Sequence, residues 1–245
     1  EIMKRGKNIG WQSEDYLKWY DAYNNFLHQN GFLKAFPNVD SLTRKMGDVA
    51  YYYQGRVIEN VRINNIIDGY AVNGWEGMKL ENHSGIVDNY RNLKGDPELI
   101  ARYNQPLYVA VKLNHKVVPT GDTINADFYI VNEKNIKGAA ELQIQVKDPA
   151  GNIIQTRNQN VNIAGGTVYG QLLLQGIKVP IHNAGYSTVS AVIKQRTKTI
   201  CSGDDNVFAV KLNKDVVSES IQVADTTGTI QAYLKSVGIK YTEYH

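Results

Sequence analysis

The hydrophobic pattern changes its period near Pro106, and this switch constrains the fold of the 245-residue chain more than any other feature. Before it, apolar residues recur at helical spacing; after it, they alternate, as in strands with one face toward a core. One type of element cannot satisfy both patterns. We therefore expect a mostly helical portion over residues 1–105, a β-rich domain over 106–213 and a short α/β tail over 214–245.

The first portion predicts two long helices and a buried strand. Ser13 is a good N-cap for a helix that ends at Gly31, and a second apolar stripe predicts a helix over 41–64. The segment 66-IIDGYAVNGW-75 is short and apolar, which favours a buried strand. The stretch 96-DPELIARY-103 then restarts a helix, with a capping Asp and a Pro in its first turn.

Alternating segments separated by turn signals predict about seven strands in the second portion. They are 107–113, 123–132, 140–148, 152–163, 168–175, 186–195 and 206–212. This pattern is typical of an immunoglobulin-like β-sandwich, here without the paired cysteines of antibody domains. The tail reads strand, turn, helix, strand, which predicts either a strap across the sandwich or the start of a further α/β domain.

Composition excludes several functions. The net charge is only +3 with both signs interspersed, so no basic stripe indicates nucleic acid. No stretch of about 18 apolar residues predicts a membrane span. The single Cys201 excludes an internal disulfide, and the spacing of the histidines indicates neither a metal site nor a cofactor. The abrupt opening, 1-EIMKRGKN-8, leads us to expect a fragment of a longer chain.

The stretch 70-YAVNGWEGMKLENHSGIVD-88 holds the candidate site residues. An indole such as Trp75, placed at the end of a strand, can stack on a sugar ring, and Asn82 and His83 offer neutral hydrogen-bonding groups. Alternatively, Trp75 packs a turn and the other two satisfy loop backbone. Glu76 and Glu81 could form the carboxylate pair that glycoside hydrolysis needs, although any two glutamates in a polar loop fit that description.

Other candidates have weaker signals. Asn82-His83-Ser84 is a glycosylation sequon, and 225-DTTG-228 precedes a helix whose start could bind phosphate. With one Gly and no Lys, that loop is better read as a plain helix start. No motif supports Cys201 as a nucleophile, so a half-buried thiol is favoured.

Three segments together resemble glycoside hydrolase family 2, which includes β-galactosidases, β-mannosidases and β-glucuronidases, in particular members from gut Bacteroides. They are 51-YYYQGRVIENVRINNIIDGYAVNGWEG-77, 81-ENHSGIVDNYRNLKGDP-97 and 106-PLYVAVK-112, followed by a β-domain that opens with 117-VVPTGDT-123. The resemblance covers roughly residues 10 to 212. It implies the end of a catalytic (β/α)8 barrel, with 66–75 as its eighth strand and 41–64 as the preceding helix, followed by the sandwich.

In that register, the family's two catalytic glutamates would lie before residue 1, so the resemblance implies no catalytic residue in this chain. Trp75 matches the aromatic residue at the end of strand eight, and Asn82 and His83 would line the same rim. The implied parent is a retaining exo-β-glycosidase that binds a carbohydrate substrate, has the rest of its own chain as partner, and is periplasmic or extracellular. The alternative is a noncatalytic β-sandwich module that binds carbohydrate or a protein partner.

Overall fold

The computed structural model describes residues 13–72, 74–76, 85–88, 91–212 and 221–244. In the first half of that part, the helices are α1 (Ser13–Gln29), α2 (Val39–Arg62) and α3 (Glu98–Ala101), with 3-10 turns at Phe32–Lys34 and Arg102–Asn104. The helices predicted over 13–31, 41–64 and 96–103 are thus present, and their ends differ by only a few residues.

Helix α2 begins at Val39, two residues earlier than predicted, and Asn38 is its N-cap. The Asn38 side-chain oxygen accepts a hydrogen bond from the Ser41 backbone N–H at 2.8 Å, and the Ser41 hydroxyl accepts one from the Asn38 N–H at 3.4 Å. This reciprocal pair is a capping box, which satisfies two N–H groups at the helix start.

The predicted buried strand over 66–75 is not a strand in the described residues 66–72 and 74–75. Ile66 is 87% exposed and Ile67 is 47% exposed. A parallel strand buried on both faces needs hydrogen-bonded neighbours, and among the described strands none pairs with this segment. The (β/α)8-barrel end that was expected over 1–105 is therefore not seen as a barrel here.

The strands form a β-sandwich domain, as the alternating pattern predicts. They are β1 (Leu107–Leu113), β2 (Val117–Pro119), β3 (Thr123–Asn132), β4 (Gly138–Lys147), β5 (Ile153–Ile163), β6 (Gly170–Pro180), β7 (Gly185–Gln195) and β8 (Lys198–Val210). One sheet has the order β1-β3-β6 and the other the order β2-β8-β7-β4-β5. Buried and less buried residues alternate along β3, β4 and β7, so one side of each strand faces the core.

Three strands differ from prediction. Strand β6 ends at Pro180, five residues beyond the predicted 175. Strand β8 begins at Lys198, eight residues before the predicted 206, because a tight turn with Arg196 at φ 56° returns the chain to pair with the whole of β7. Strand β2 was not predicted; its three residues pair parallel to the end of β8.

The chain divides into two compact units. The first unit consists of Glu1–Ala110, Tyr129–Ala140 and Val161–Leu173. The second unit consists of Val111–Phe128, Glu141–Asn160 and Leu174–His245. The first unit has a core of Tyr51, Ile58, Ile100, Tyr103, Tyr108, Ala110 and Val131. In the second unit, the tail forms β9 (Ile221–Val223), α4 (Thr229–Ser236) and β10 (Tyr241–Glu243), with β9 parallel to β10. The domain boundaries at 105 and 213 stay predictions. No described helix is long and apolar enough to cross a membrane.

Candidate functional site

Trp75 is held by its backbone and leaves its side chain open to solvent. Its carbonyl oxygen accepts hydrogen bonds from the backbone N–H groups of Ile86 at 2.8 Å and Val87 at 3.1 Å. Gly74, immediately before it, has φ 71°, a left-handed conformation that favours glycine. The indole is 60% exposed. Trp75 therefore exposes its side chain to solvent while hydrogen bonds hold its backbone, and it is not a packed core residue.

Tyr51 fixes the loop that holds Trp75. This fully buried residue of α2 donates its hydroxyl proton to the Ile86 carbonyl and accepts a hydrogen bond from the Lys94 N–H at 3.1 Å. The Lys94 N–H also reaches the Ile86 carbonyl directly, at 3.4 Å. A buried hydroxyl that bridges two backbone groups sets the position of the loop against the helix.

Glycine allows the same loop to approach α2 backbone to backbone. A Cβ on Gly47 would lie 1.9 Å from the Lys94 carbonyl oxygen, and a Cβ on Gly95 would lie 2.6 Å from the Asp48 nitrogen. The Asp48 carboxylate accepts hydrogen bonds from the Asp96 N–H at 2.8 Å and from Lys45 at 2.9 Å. Partial burial acts to raise the pKa of Asp48, but these bonds lower it below its ordinary value.

Glu76 forms a salt bridge with Arg91 at 2.8 Å. Its side chain is 34% exposed. Its backbone forms an isolated parallel bridge with Val87, so it belongs to the same loop as Trp75. Asn82, His83 and Glu81, the other predicted site residues of this stretch, lie outside the described residues.

The most extensive buried polar cluster of the first unit was not predicted from sequence. Arg62, at the end of α2, donates to the Tyr103 carbonyl at 2.6 Å and to Glu133 at 2.6 Å, and its guanidinium lies over the Tyr108 ring at 5.4 Å. One turn earlier, Arg56 and Glu59 form a salt bridge at 2.9 Å with side chains 10% and 2% exposed. The spacing of 56, 59 and 62 along one helical face was the available signal.

This cluster keeps its tyrosines neutral. Burial raises the pKa of the Tyr103 hydroxyl and, to a greater degree, that of Tyr108. The Tyr108 hydroxyl is buried without a hydrogen-bond partner among the described residues. Neutral rings under guanidinium groups suit cation–π packing, so the cluster anchors the end of α2.

The remaining sequence candidates have structural roles. The Asp225 carboxylate accepts hydrogen bonds from the N–H groups of Ile230 at 2.6 Å and Gln231 at 3.2 Å, so it occupies the start of α4 where phosphate was considered. Cys201 is 8% exposed, and burial raises the pKa of its thiol to about 12, which opposes formation of a nucleophilic thiolate. Among the described residues, no group of three or more His, Cys, Asp or Glu could hold a metal ion.

Comparison with known proteins gives similarity to solved structures only. No protein-family model matches the chain, and no curated protein matches it. Among solved structures, a glycosyl hydrolase family 2 member from Bacteroides cellulosilyticus is similar at 14% identity with a TM-score of 0.32, over 42% of this chain and 14% of that one. The chain therefore spans only a small part of that protein.

Two other structures show the extent of the similarity. A Bacteroides uniformis β-glucuronidase matches at 14% identity over 41% of this chain and 13% of that one, with a TM-score of 0.32. The CARDB domain of a Pyrococcus furiosus protein, solved in complex with di-metal ions, matches at 14% identity over 43% of this chain and 94% of that one, with a TM-score of 0.33.

Proposed function

We propose that this chain is the C-terminal part of a retaining exo-β-glycosidase of the family 2 type. Its helical portion would complete the catalytic barrel and place Trp75 at the wall of the sugar site, while both catalytic carboxylates would lie in the preceding part of the parent chain. The support comes from the sequence resemblance over residues 51–123 and from one structural observation, the second apolar face of α2.

Helix α2 is apolar on two sides. One face is buried and includes Tyr51 and Ile58. The other carries Met46, Val49, Tyr53 and Val57, which are 39%, 55%, 64% and 62% exposed. Their spacing of three or four residues forms a continuous stripe. A helix with apolar residues on both sides is typical of a position between two layers, as in a barrel where helices cover the strands.

The segment predicted as the eighth strand lies beside this exposed stripe. Tyr70, Ala71 and Val72 line a groove of about 460 Å³ together with Tyr53, Val57 and other α2 residues. The resemblance assigns 41–64 and 66–75 to successive barrel elements, and residues of both segments line the groove. We propose that the segment becomes a strand when the neighbouring barrel strands pair with it.

We assign no catalytic role to Glu76, because the resemblance places both catalytic glutamates before residue 1. Glycoside hydrolysis needs two carboxyl groups on opposite sides of one bond. Glu76 forms a salt bridge with Arg91 at 2.8 Å, and Glu81, the second carboxylate considered, lies outside the described residues. The exposed indole of Trp75 remains as the group suited to a sugar ring.

The first experiment is to assay the purified chain on aryl β-glycosides with β-galactosyl, β-mannosyl and β-glucuronosyl groups. We expect no turnover. Turnover that Glu76→Gln abolishes would place catalysis in this chain and overturn the proposal.

The second experiment uses the complete coding sequence of the parent. We expect an Asn-Glu dipeptide and a further Glu at upstream strand ends, and hydrolysis of one of these glycosides by the full chain. Trp75→Ala should lower kcat/KM about tenfold or more, through lost stacking. Trp19→Ala is the matched control, because Trp19 is a similarly exposed indole (51%) on α1 and should leave kcat/KM unchanged. Equal effects of both substitutions would contradict the role of Trp75.

A further inference from the structure

An apolar row crosses three strands on the outer face of the five-stranded sheet. Val117 of β2 is paired in register with Phe208 of β8, and Phe208 with Tyr186 of β7. These side chains are 63%, 36% and 67% exposed. The Phe208 and Tyr186 rings lie 4.8 Å apart with planes inclined by 56°. Register therefore places two aromatic rings side by side in solvent at one end of the sheet.

The backbone holds this row rigidly. The Phe208 N–H donates to the Lys116 carbonyl at 2.8 Å, and the Thr120 N–H donates to the Val210 carbonyl at 3.0 Å, so β2 is bonded to β8 on both sides of the row. Because Ser187 and Val207 on the same strands are buried, their neighbours Tyr186 and Phe208 face outward by strand alternation.

Neutral hydrogen-bonding side chains continue the same face away from the rings. The next row pairs Thr188 with Asn206, and the Thr188 hydroxyl donates to the Asn206 side-chain oxygen at 2.8 Å. The row after that pairs Ser190 with Gln145. The charged neighbours in these two rows are Lys147, opposite Thr188, and Asp204, opposite Ser190, so their formal charges cancel. In these rows the face combines exposed rings with hydroxyl and amide groups, and the two formal charges are of opposite sign.

We propose that this face of the sandwich, defined by Val117, Tyr186, Phe208, Thr188 and Asn206, binds a neutral oligosaccharide. A pyranose ring has an apolar face for an aromatic side chain and equatorial hydroxyls for amide and hydroxyl partners. Charge complementarity favours an uncharged ligand over an acidic or basic one. The proposal rests on the sheet register and is independent of the function proposed above, which rests on α2 and Trp75.

The size of the apolar row also favours a sugar over a protein. The row exposes roughly 300 Å², taking about 150–250 Å² for a whole aromatic side chain. A stable protein interface needs about 800 Å² on each partner, which the row alone does not supply. It is large enough for one or two sugar rings.

The test is affinity electrophoresis of the purified chain through gels that contain barley β-glucan, xyloglucan, galactomannan or, as an acidic comparison, polygalacturonate. We expect retardation by at least one neutral polysaccharide, and isothermal titration with oligosaccharides of that polymer then gives Kd. Tyr186→Ala and Phe208→Ala should each weaken binding about tenfold or more, while Tyr186→Phe, which keeps the ring, should stay within about threefold. Tyr169→Ala is the control, since Tyr169 is also exposed, at 52%, but lies on another part of the chain.

Three results would overturn this inference. They are the absence of retardation by every neutral polysaccharide, binding that Tyr186→Ala leaves intact, and a dimer in sedimentation velocity that Tyr186→Ala converts to monomer. Retardation lost in Trp75→Ala but kept in Tyr186→Ala would also contradict it, while leaving the role proposed for Trp75 in place. Thermal unfolding of each variant shows whether the fold is unchanged, as expected for a side chain 67% exposed.

Discussion

Replacement of Tyr51 by Phe tests how the loop that bears Trp75 is held. The change removes one oxygen and keeps the ring, so it leaves the packing of this fully buried side chain almost unchanged. It deletes the hydroxyl that donates to the Ile86 carbonyl and accepts from the Lys94 N–H. Any loss of stability therefore reports on these two hydrogen bonds and not on a cavity.

The expected loss of stability depends on the hydrogen bonds that the Ile86 carbonyl and the Lys94 N–H retain in Tyr51→Phe. Each buried polar group left without a partner costs about 1–3 kcal/mol. Here the Lys94 N–H keeps a long hydrogen bond to the Ile86 carbonyl, at 3.4 Å, so neither group is fully orphaned. We therefore expect the free energy of unfolding to fall by about 1–2 kcal/mol, near the lower end for two lost bonds.

Tyr53→Phe is the matched control, because it makes the same chemical change two residues away on α2, where the side chain is 64% exposed. Its effect should stay within about 0.5 kcal/mol. Urea unfolding followed by circular dichroism gives both values, and hydrogen exchange should show faster exchange of the Lys94 amide in Tyr51→Phe. Equal stability of the two variants, or unchanged exchange at Lys94, would refute the bridging role of the hydroxyl.

Two further predictions concern the backbone contact at α2 and the acid sensitivity of the β4–β5 turn. Gly47→Ala should lower the free energy of unfolding by about 2 kcal/mol or more despite the better helix propensity of Ala, because the new carbon would lie 1.9 Å from a carbonyl oxygen. Gly69→Ala is the control, since it has open space around it. Thermal melts of both variants measure the difference. Hydrogen bonds from the Asn152 side chain and backbone lower the pKa of Asp148 in the folded protein. The ionised carboxylate therefore stabilises the fold fully at pH values above its ordinary pKa of about 3.9. This stabilisation is lost as the pH falls through the lowered pKa of the folded state. Asp148→Asn should therefore be less stable than the wild type in urea unfolding at pH 7, and the gap should narrow toward pH 2; a gap independent of pH would contradict this.

Where local pattern and final environment agree, the sequence predicts the fold closely. Strands 107–113 and 123–132 have the predicted bounds. Buried residues alternate along most of 123–132, whereas 107–113 is a short apolar run that is buried on both faces over residues 108–111. The first half of β8, 198-KTICSGDD-205, has no such alternation. It is a strand because the turn at Arg196 returns it along β7, and this pairing is not visible in the local sequence.

For the segment 66–75, the local pattern predicts a strand that its described residues do not form. Its apolar run predicts a buried strand, yet burial and pairing depend on neighbours that local sequence does not specify, and Ile66 is 87% exposed. Of the predicted site residues, Trp75 is 60% exposed, and its role in binding a sugar stays a prediction. The Arg62 cluster was missed because its partners, Tyr103 and Glu133, are distant in sequence.

The distribution of polarity on α2 gives the clearest physical reason to expect a covering layer. A helix at the surface of an independent domain normally turns charged residues to solvent and apolar residues inward. Here Arg56 and Glu59 are on the buried side, with side chains 10% and 2% exposed, whereas Tyr53 and Val57 are 64% and 62% exposed. Burial of an ion pair costs desolvation, and exposure of an apolar stripe forgoes the gain from its burial. The exposed stripe is accounted for if further chain covers it, as in the barrel proposed above.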